Sequence, residues 1–164
     1  MLQWAARVPD GPVLDLACGS GRHARLFASL GHDVLAVDRD AAALESMAGE
    51  PRIRTVRVDL EDGGQWPFPG ERFAGIVVTN YLHRPLFPAL AAALAPGGVL
   101  VYETFMLGNE RFGKPSNPQF LLRPGELWQV LGASLQVLGF GQGYQGLPKP
   151  AMIQRLCATA AGFQ

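Results

Sequence analysis

A chain of 164 residues with 48% hydrophobic content suits one compact domain over residues 1–164 and excludes a disordered segment. Its 14 basic and 14 acidic residues cancel, which argues against the broad positive surface that nucleic acid requires, so no nucleic acid is expected as a partner. Two cysteines, Cys18 and Cys157, are too few for a disulfide framework or a metal cluster. The start, Met1 to Asp10, lacks a basic region followed by an apolar run, and no stretch approaches the roughly 18 apolar residues of a membrane span. A cytoplasmic enzyme, monomeric or homodimeric, is the expectation.

In chain order, Val13 to Ala17 is a short apolar run ending in glycines, so it reads as a buried strand and a turn. Arg22 to Leu30 places Ala24, Phe27 and Ala28 on one helical face, with Gly31 as the stop. Val34 to Val37 is a second strand. Asp40 caps a helix predicted through Ala48, with Leu44, Met47 and Ala48 inward. Ile53 to Val58 mixes β-branched residues with arginines and reads as a strand near the sheet edge. Glu61 to Arg72 is a Gly/Pro-rich loop, and Phe73 to Thr79 is a fourth strand. Pro85 to Ala95 predicts a helix ended by Pro96-Gly97-Gly98, and Val99 to Thr104 predicts a fifth strand. Phe105 to Leu122 has no period and reads as a long loop, of the kind that often carries function. A helix from Pro124 to Leu131 follows. Leu135 to Phe140 and Ala151 to Ala158 are then two strands joined by a Gly/Gln/Tyr loop. The alternation implies a mostly parallel α/β sheet with an antiparallel edge.

The chemistry concentrates at the first turn, Ala17-Cys18-Gly19-Ser20-Gly21. Its glycines let a ligand approach the backbone, and the following helix offers free N–H groups. Asp38, at the end of the second strand, can accept two ribose hydroxyls. A dinucleotide would satisfy these features as well. Asp15 separates the two: a pyrophosphate here would be repelled by the carboxylate, whereas a cofactor with an ammonium and a sulfonium would be attracted. The plainer role for Asp15 is a hydrogen bond to the turn backbone. Asp59 ends the third strand and could accept from an adenine amino group; a solvated loop acid or helix cap is the plainer role.

The run Val13 to Asp38, the pair Asp59-Leu60, and Pro96-Gly97-Gly98 before a strand resemble class I S-adenosylmethionine-dependent methyltransferases over nearly the whole chain. The resemblance implies a Rossmann-like seven-stranded sheet, mostly parallel with an antiparallel last strand, helices on both faces, and here a shortened N-terminus. It implies S-adenosyl-L-methionine as cofactor. The expected binding set is Asp15, Ala17, Cys18, Gly19, Gly21, Asp38, Arg39, Asp59, Leu60 and Asn80, with Asp38 on ribose and Asp59 on adenine. A narrower set, Asn80 to Pro85, Glu103-Thr104-Phe105 and Tyr144-Gln145-Gly146, is similar to small tellurite-resistance-type methyltransferases. Asn80-Tyr81 lacks the prolines of the Asn-Pro-Pro-Tyr type, which disfavours DNA or protein amino groups as acceptors.

The expected reaction is methyl transfer to a small-molecule acceptor. Tyr81 and His83 follow the fourth strand and are the catalytic candidates, as orienting or proton-relay groups. Glu103 could face the pocket or the core. Arg111, Lys114 and Arg123 would suit an anionic substrate or simply be solvated. Tyr144 could border the substrate mouth, and His23, Cys18 and Cys157 read as structural. Two alternatives remain: a non-catalytic cofactor-binding module, and an NAD(P)-dependent oxidoreductase, which Asp15 opposes.

Overall fold

The computed structural model describes residues 2–162. Helix α1 (Leu2–Ala5) precedes strand β1 (Val13–Leu16). Then follow α2 (Arg22–Ser29), β2 (Val34–Asp38), α3 (Ala41–Glu45), β3 (Ile53–Arg57), β4 (Phe73–Thr79), α4 (Phe87–Ala92) and β5 (Leu94–Phe105). Helix α5 (Glu126–Leu131) leads to β6 (Gln136–Gln145) and β7 (Ala151–Thr159). The seven strands lie in the order β3-β2-β1-β4-β5-β7-β6. Strands β1 to β5 pair in parallel, and β7 runs antiparallel to both β5 and β6. This is the expected sheet, with β3 at one edge.

Alternation along β1 and β2 sorts the core onto two faces. Leu14, Leu16, Leu35 and Val37 pack with Phe87 and Leu90 of α4 and Leu127 and Leu131 of α5. Val13, Val34 and Ala36 pack with Ala5 of α1, Ala24 and Phe27 of α2, and Leu44 of α3. A strand covered on both faces has no polar side to show, which is why these runs read as continuously apolar.

Asp40 caps α3 as expected, its carboxylate accepting from Ala42 and Ala43 N–H. The regular helix ends at Glu45, short of the predicted Ala48; Leu44 and Met47 are buried, and Ala48 is exposed. The predicted Pro85–Ala95 helix divides into a 3-10 turn (Arg84–Leu86) and α4, because Leu94 already pairs with Phe73 in β5. Pro96-Gly97-Gly98 is a bulge within β5 rather than a helix stop: the register jumps there from Phe73/Leu94 to Gly75/Val99. The Gly/Gln/Tyr stretch expected as a loop is strand: β6 pairs with β7 out to Gln145↔Ala151. Gly139, Gly141 and Gly143 weaken the local strand signal, and Trp4 takes the space a side chain at 139 would need.

Candidate active site

Strands β1 and β4 lie side by side, and the chain departs from them toward opposite edges of the sheet. The crevice at their carboxyl ends is where open α/β sheets bind ligands. Both exits are strained: Ala17 after β1 and Asn80 after β4 each hold φ +54°, a left-handed conformation unusual for residues with a side chain. The surroundings that enforce this conformation are well defined. Cys18 N–H donates to Val37 O, and Asn80 N–H donates to Glu103 O.

The glycine turn is tied down from three sides. Asp38 Oδ2 accepts from Gly19 N–H at 2.8 Å, and its Oδ1 accepts from Asp40 N–H at 3.0 Å. Arg25 donates to Ser20 O and Ser46 O and pairs with Glu50 at 2.6 Å, joining the turn to the end of α3. Gly19 (φ +53°) has nothing within 4 Å of where a Cβ would stand, so its backbone faces open space. Gly21 (φ +83°) is there for packing: a Cβ would meet Met47 Sδ at 1.9 Å.

Asp15 lies beneath this turn at 1% exposure, and its Oδ2 is buried without a hydrogen-bond partner. Burial pushes its carboxyl up to about 7; Ala24 N–H and Arg22 oppose the rise, and Asp38 adds to it. Burial is also the main cause that raises the Cys18 thiol to about 12, with Asp15 and Asp38 adding to the rise, and burial raises Cys157 to about 11. Both thiols are thereby held in the protonated form near neutral pH.

Two cavities meet at Asn80. The smaller, about 260 Å³, is lined by Ala17, Asp38, Arg39, Val58, Asp59, Leu60, Glu61, Asn80 and Tyr81. It therefore collects Ala17, Asp38, Arg39, Asp59, Leu60 and Asn80 of the expected binding set. The phenol oxygen of Tyr81 is buried and unpartnered there; burial, then the Glu61 and Asp59 carboxylates, hold its pKa well above the ordinary value. The larger cavity, about 640 Å³, lies between the β5–α5 loop and the β6–β7 loop. Arg22, Asn80, Glu103, Lys114 and Lys149 are among its walls. Glu103 pairs with Arg155 at 3.3 Å, and Arg155 also donates to Gln145.

The other candidates lie elsewhere. His83 lines neither cavity and instead starts the 3-10 turn, its carbonyl accepting from Leu86 N–H. His23 is buried against Thr79 at 3.3 Å, and burial lowers its pKa to about 4. Arg123 pairs with Glu126, and Arg111 stacks over Phe112, which in turn contacts Tyr144 with ring centroids 5.3 Å apart. The sequence reading missed Arg22, Asn109 and Lys149 in the larger cavity. A signal existed: the chain has only two lysines, Lys114 and Lys149, and both line it.

The long loop is ordered by buried polar ties. Arg84 forks onto Glu126 at 2.6 and 3.0 Å while donating to Gln119 O and Leu121 O. Asn109 donates to Pro115 O and accepts from Met152 N–H. Gln154 accepts from Leu127 N–H and donates to Arg123 O and Gln142.

A family profile described as a methyltransferase domain matches residues 13–98, just over half the chain. A trans-aconitate 2-methyltransferase from Sinorhizobium medicae is 33% identical over 109 residues, covering 63% of this chain and 42% of that protein. The chain thus spans about two fifths of the length of that relative. Among solved structures, TehB from Haemophilus influenzae superposes with a TM-score of 0.80 at 18% identity, over 97% of this chain and 60% of that one. An S-adenosylmethionine-dependent methyltransferase from Mesorhizobium loti superposes with a TM-score of 0.74 at 17% identity, over 97% and 98%. These two likenesses are of fold. Topology, glycine turn and profile agree, and the chain belongs to the class I S-adenosylmethionine-dependent methyltransferase family.

Proposed function

We propose that this chain, acting as one domain over residues 1–164, transfers a methyl group from S-adenosylmethionine to a small-molecule acceptor. The observation that carries the reading is Asp15: a buried carboxylate with an unpartnered oxygen under a glycine turn fits a cationic amino-acid moiety and repels a pyrophosphate. Arg22, the first residue of α2, stands where the carboxylate of that moiety can pair with it. Asp38, already oriented by Gly19 and Asp40 N–H groups, keeps lone pairs for the ribose hydroxyls. Asp59 accepts from the adenine amino group, and Leu60 and Tyr81 flank the base. In this reading Tyr81 is a binding residue, and His83 shapes the loop after β4.

S-adenosylmethionine held there would supply an activated methyl: the acceptor lone pair would form the new bond to carbon while the C–S pair returned to sulfur, leaving a neutral thioether. The protein's share is to hold both partners in line and exclude water. A small-molecule acceptor is supported by the relative named for trans-aconitate. The cytoplasm is part of the same proposal, in keeping with two free thiols; among the described residues no helix is long and apolar enough to cross a membrane.

Titration calorimetry with S-adenosylmethionine, S-adenosylhomocysteine and NADH tests the reading. Binding of the first two and not the third is expected. Binding of NADH alone would sink it, and cofactor binding without transfer to any acceptor would reduce the chain to a binding module.

A further inference from the structure

We propose that the larger cavity takes an acceptor bearing at least two negative charges, clamped by Lys114 and Lys149. This rests on the methyl-transfer reading above. The chain carries 14 basic residues, of which 12 are arginines, yet both lysines stand on the walls of this one cavity. They come from different loops, Lys114 between β5 and α5 and Lys149 between β6 and β7. Among the described residues neither pairs with a carboxylate, whereas Arg25, Arg52, Arg54, Arg84, Arg123 and Arg155 all do. With Arg22 given to the cofactor carboxylate, Lys114 and Lys149 remain as the cavity's unspent cations, a local positive field in a protein of zero net charge. Glu103 would repel an anion, but Arg155 neutralises it at 3.3 Å. Lysine, a flexible point charge, suits an anion that must enter and leave between two loops.

A second observation points the same way. Among the described residues, Glu103 is the one carboxylate lining the cavity, no histidine lines it, and Glu103 is engaged by Arg155. An acceptor that arrives protonated needs a base; one that is already an anion needs none. With a carboxylate or phosphoryl oxygen as nucleophile, its lone pair forms the O–CH3 bond, the C–S pair returns to sulfur, and no proton leaves. Lys114 and Lys149 are therefore binding residues of the acceptor, not proton carriers.

The test uses the full chain. S-adenosylhomocysteine binding is measured first by calorimetry; its absence defeats the methyl-transfer reading itself. Where it binds, labelled methyl transfer is followed across mono-, di- and tricarboxylates, phosphate monoesters, and matched amides and amines. Turnover confined to compounds with two or more negative charges is expected, and the carboxylate and phosphate arms tell which group supplies them. Lys114→Gln and Lys149→Gln should each raise KM about 10-fold or more while changing kcat less than about threefold, and Lys→Arg should recover most of the loss. The preferred anion should also shield both lysines from acetylation read by mass spectrometry. Turnover of neutral or cationic compounds, no turnover of any anion by the cofactor-binding chain, or unchanged KM in both variants overturns the proposal.

Discussion

Asp38 carries two structural hydrogen bonds and, in the proposed complex, the ribose. Asp38→Ala removes a charged acceptor worth roughly 1.5–3 kcal/mol, so S-adenosylhomocysteine affinity should fall about 10- to 150-fold by calorimetry. Unchanged affinity would place the ribose elsewhere. Asp15 makes a prediction of a different kind. With its carboxyl held near 7, it is largely protonated at pH 6, and an ammonium drawn to it favours the ionised form. Cofactor binding should therefore release close to one proton at pH 6 and almost none at pH 8.5, measured in buffers of different ionisation heat. Asp15→Asn should abolish the release; a release that survives in the variant belongs to another group. Gly21 is fixed by Met47, so Gly21→Ala should cost about 1–3 kcal/mol in urea unfolding. Sequence spacing placed Gly21 in the turn, Asp15 just before it and Asp38 at the end of the second strand. It gave no means to see that Gly19 faces open space while Gly21 faces a sulfur.

Between elements, the Arg84–Glu126 fork decides where the long loop goes. Glu126 is 3% exposed at the start of α5, and Arg84 precedes α4, so one ion pair docks two helices and the segment around Gln119 and Leu121. Removing the guanidinium leaves a buried carboxylate with only Arg123 beside it. Arg84→Met should cost about 3–5 kcal/mol in urea unfolding, and the added change Glu126→Gln should restore part of that. A loss below about 1 kcal/mol would show the fork to be solvated. The same scale is where the sequence reading failed. A helix predicted through Ala95 lost its end to β5, and a predicted loop became half of β6, because pairing with a distant strand outweighs local propensity.

Across the whole molecule, two buried groups set opposing pH slopes. Asp15 holds its proton in the native fold up to about 7, so its contribution to stability is full in acid and is lost as pH rises from about 4 to 7. His23 stays neutral down to about 4, so its contribution is lost as pH falls below about 6.5. Over most of this window the two offset. His23→Gln removes one of them: the stability of wild type relative to the variant should rise from pH 4.5 to 6.5 and stay level above. Urea unfolding at pH 4.5, 6.5 and 8 checks this, and a difference independent of pH would mean that His23 titrates normally.

Periodicity and turn chemistry are local, and what depends on them was legible in the residue order: the strand–helix alternation, the Asp40 cap, the glycine turn and the placing of Asp15, Asp38 and Asp59 near strand ends. From these the sheet and the cofactor class followed. Which carboxylate loses its water follows only from packing in three dimensions, where Asp15 is buried to 1% exposure. Tertiary structure alone brought Lys114 and Lys149 to one cavity, since they sit on two loops far apart in the chain. It also separated Tyr81, in the smaller cleft, from His83, outside both cavities, although only Leu82 lies between them. At the Gly19 turn the backbone pattern was legible from the start; the need of the carboxyl beneath it for a cationic partner comes from its burial.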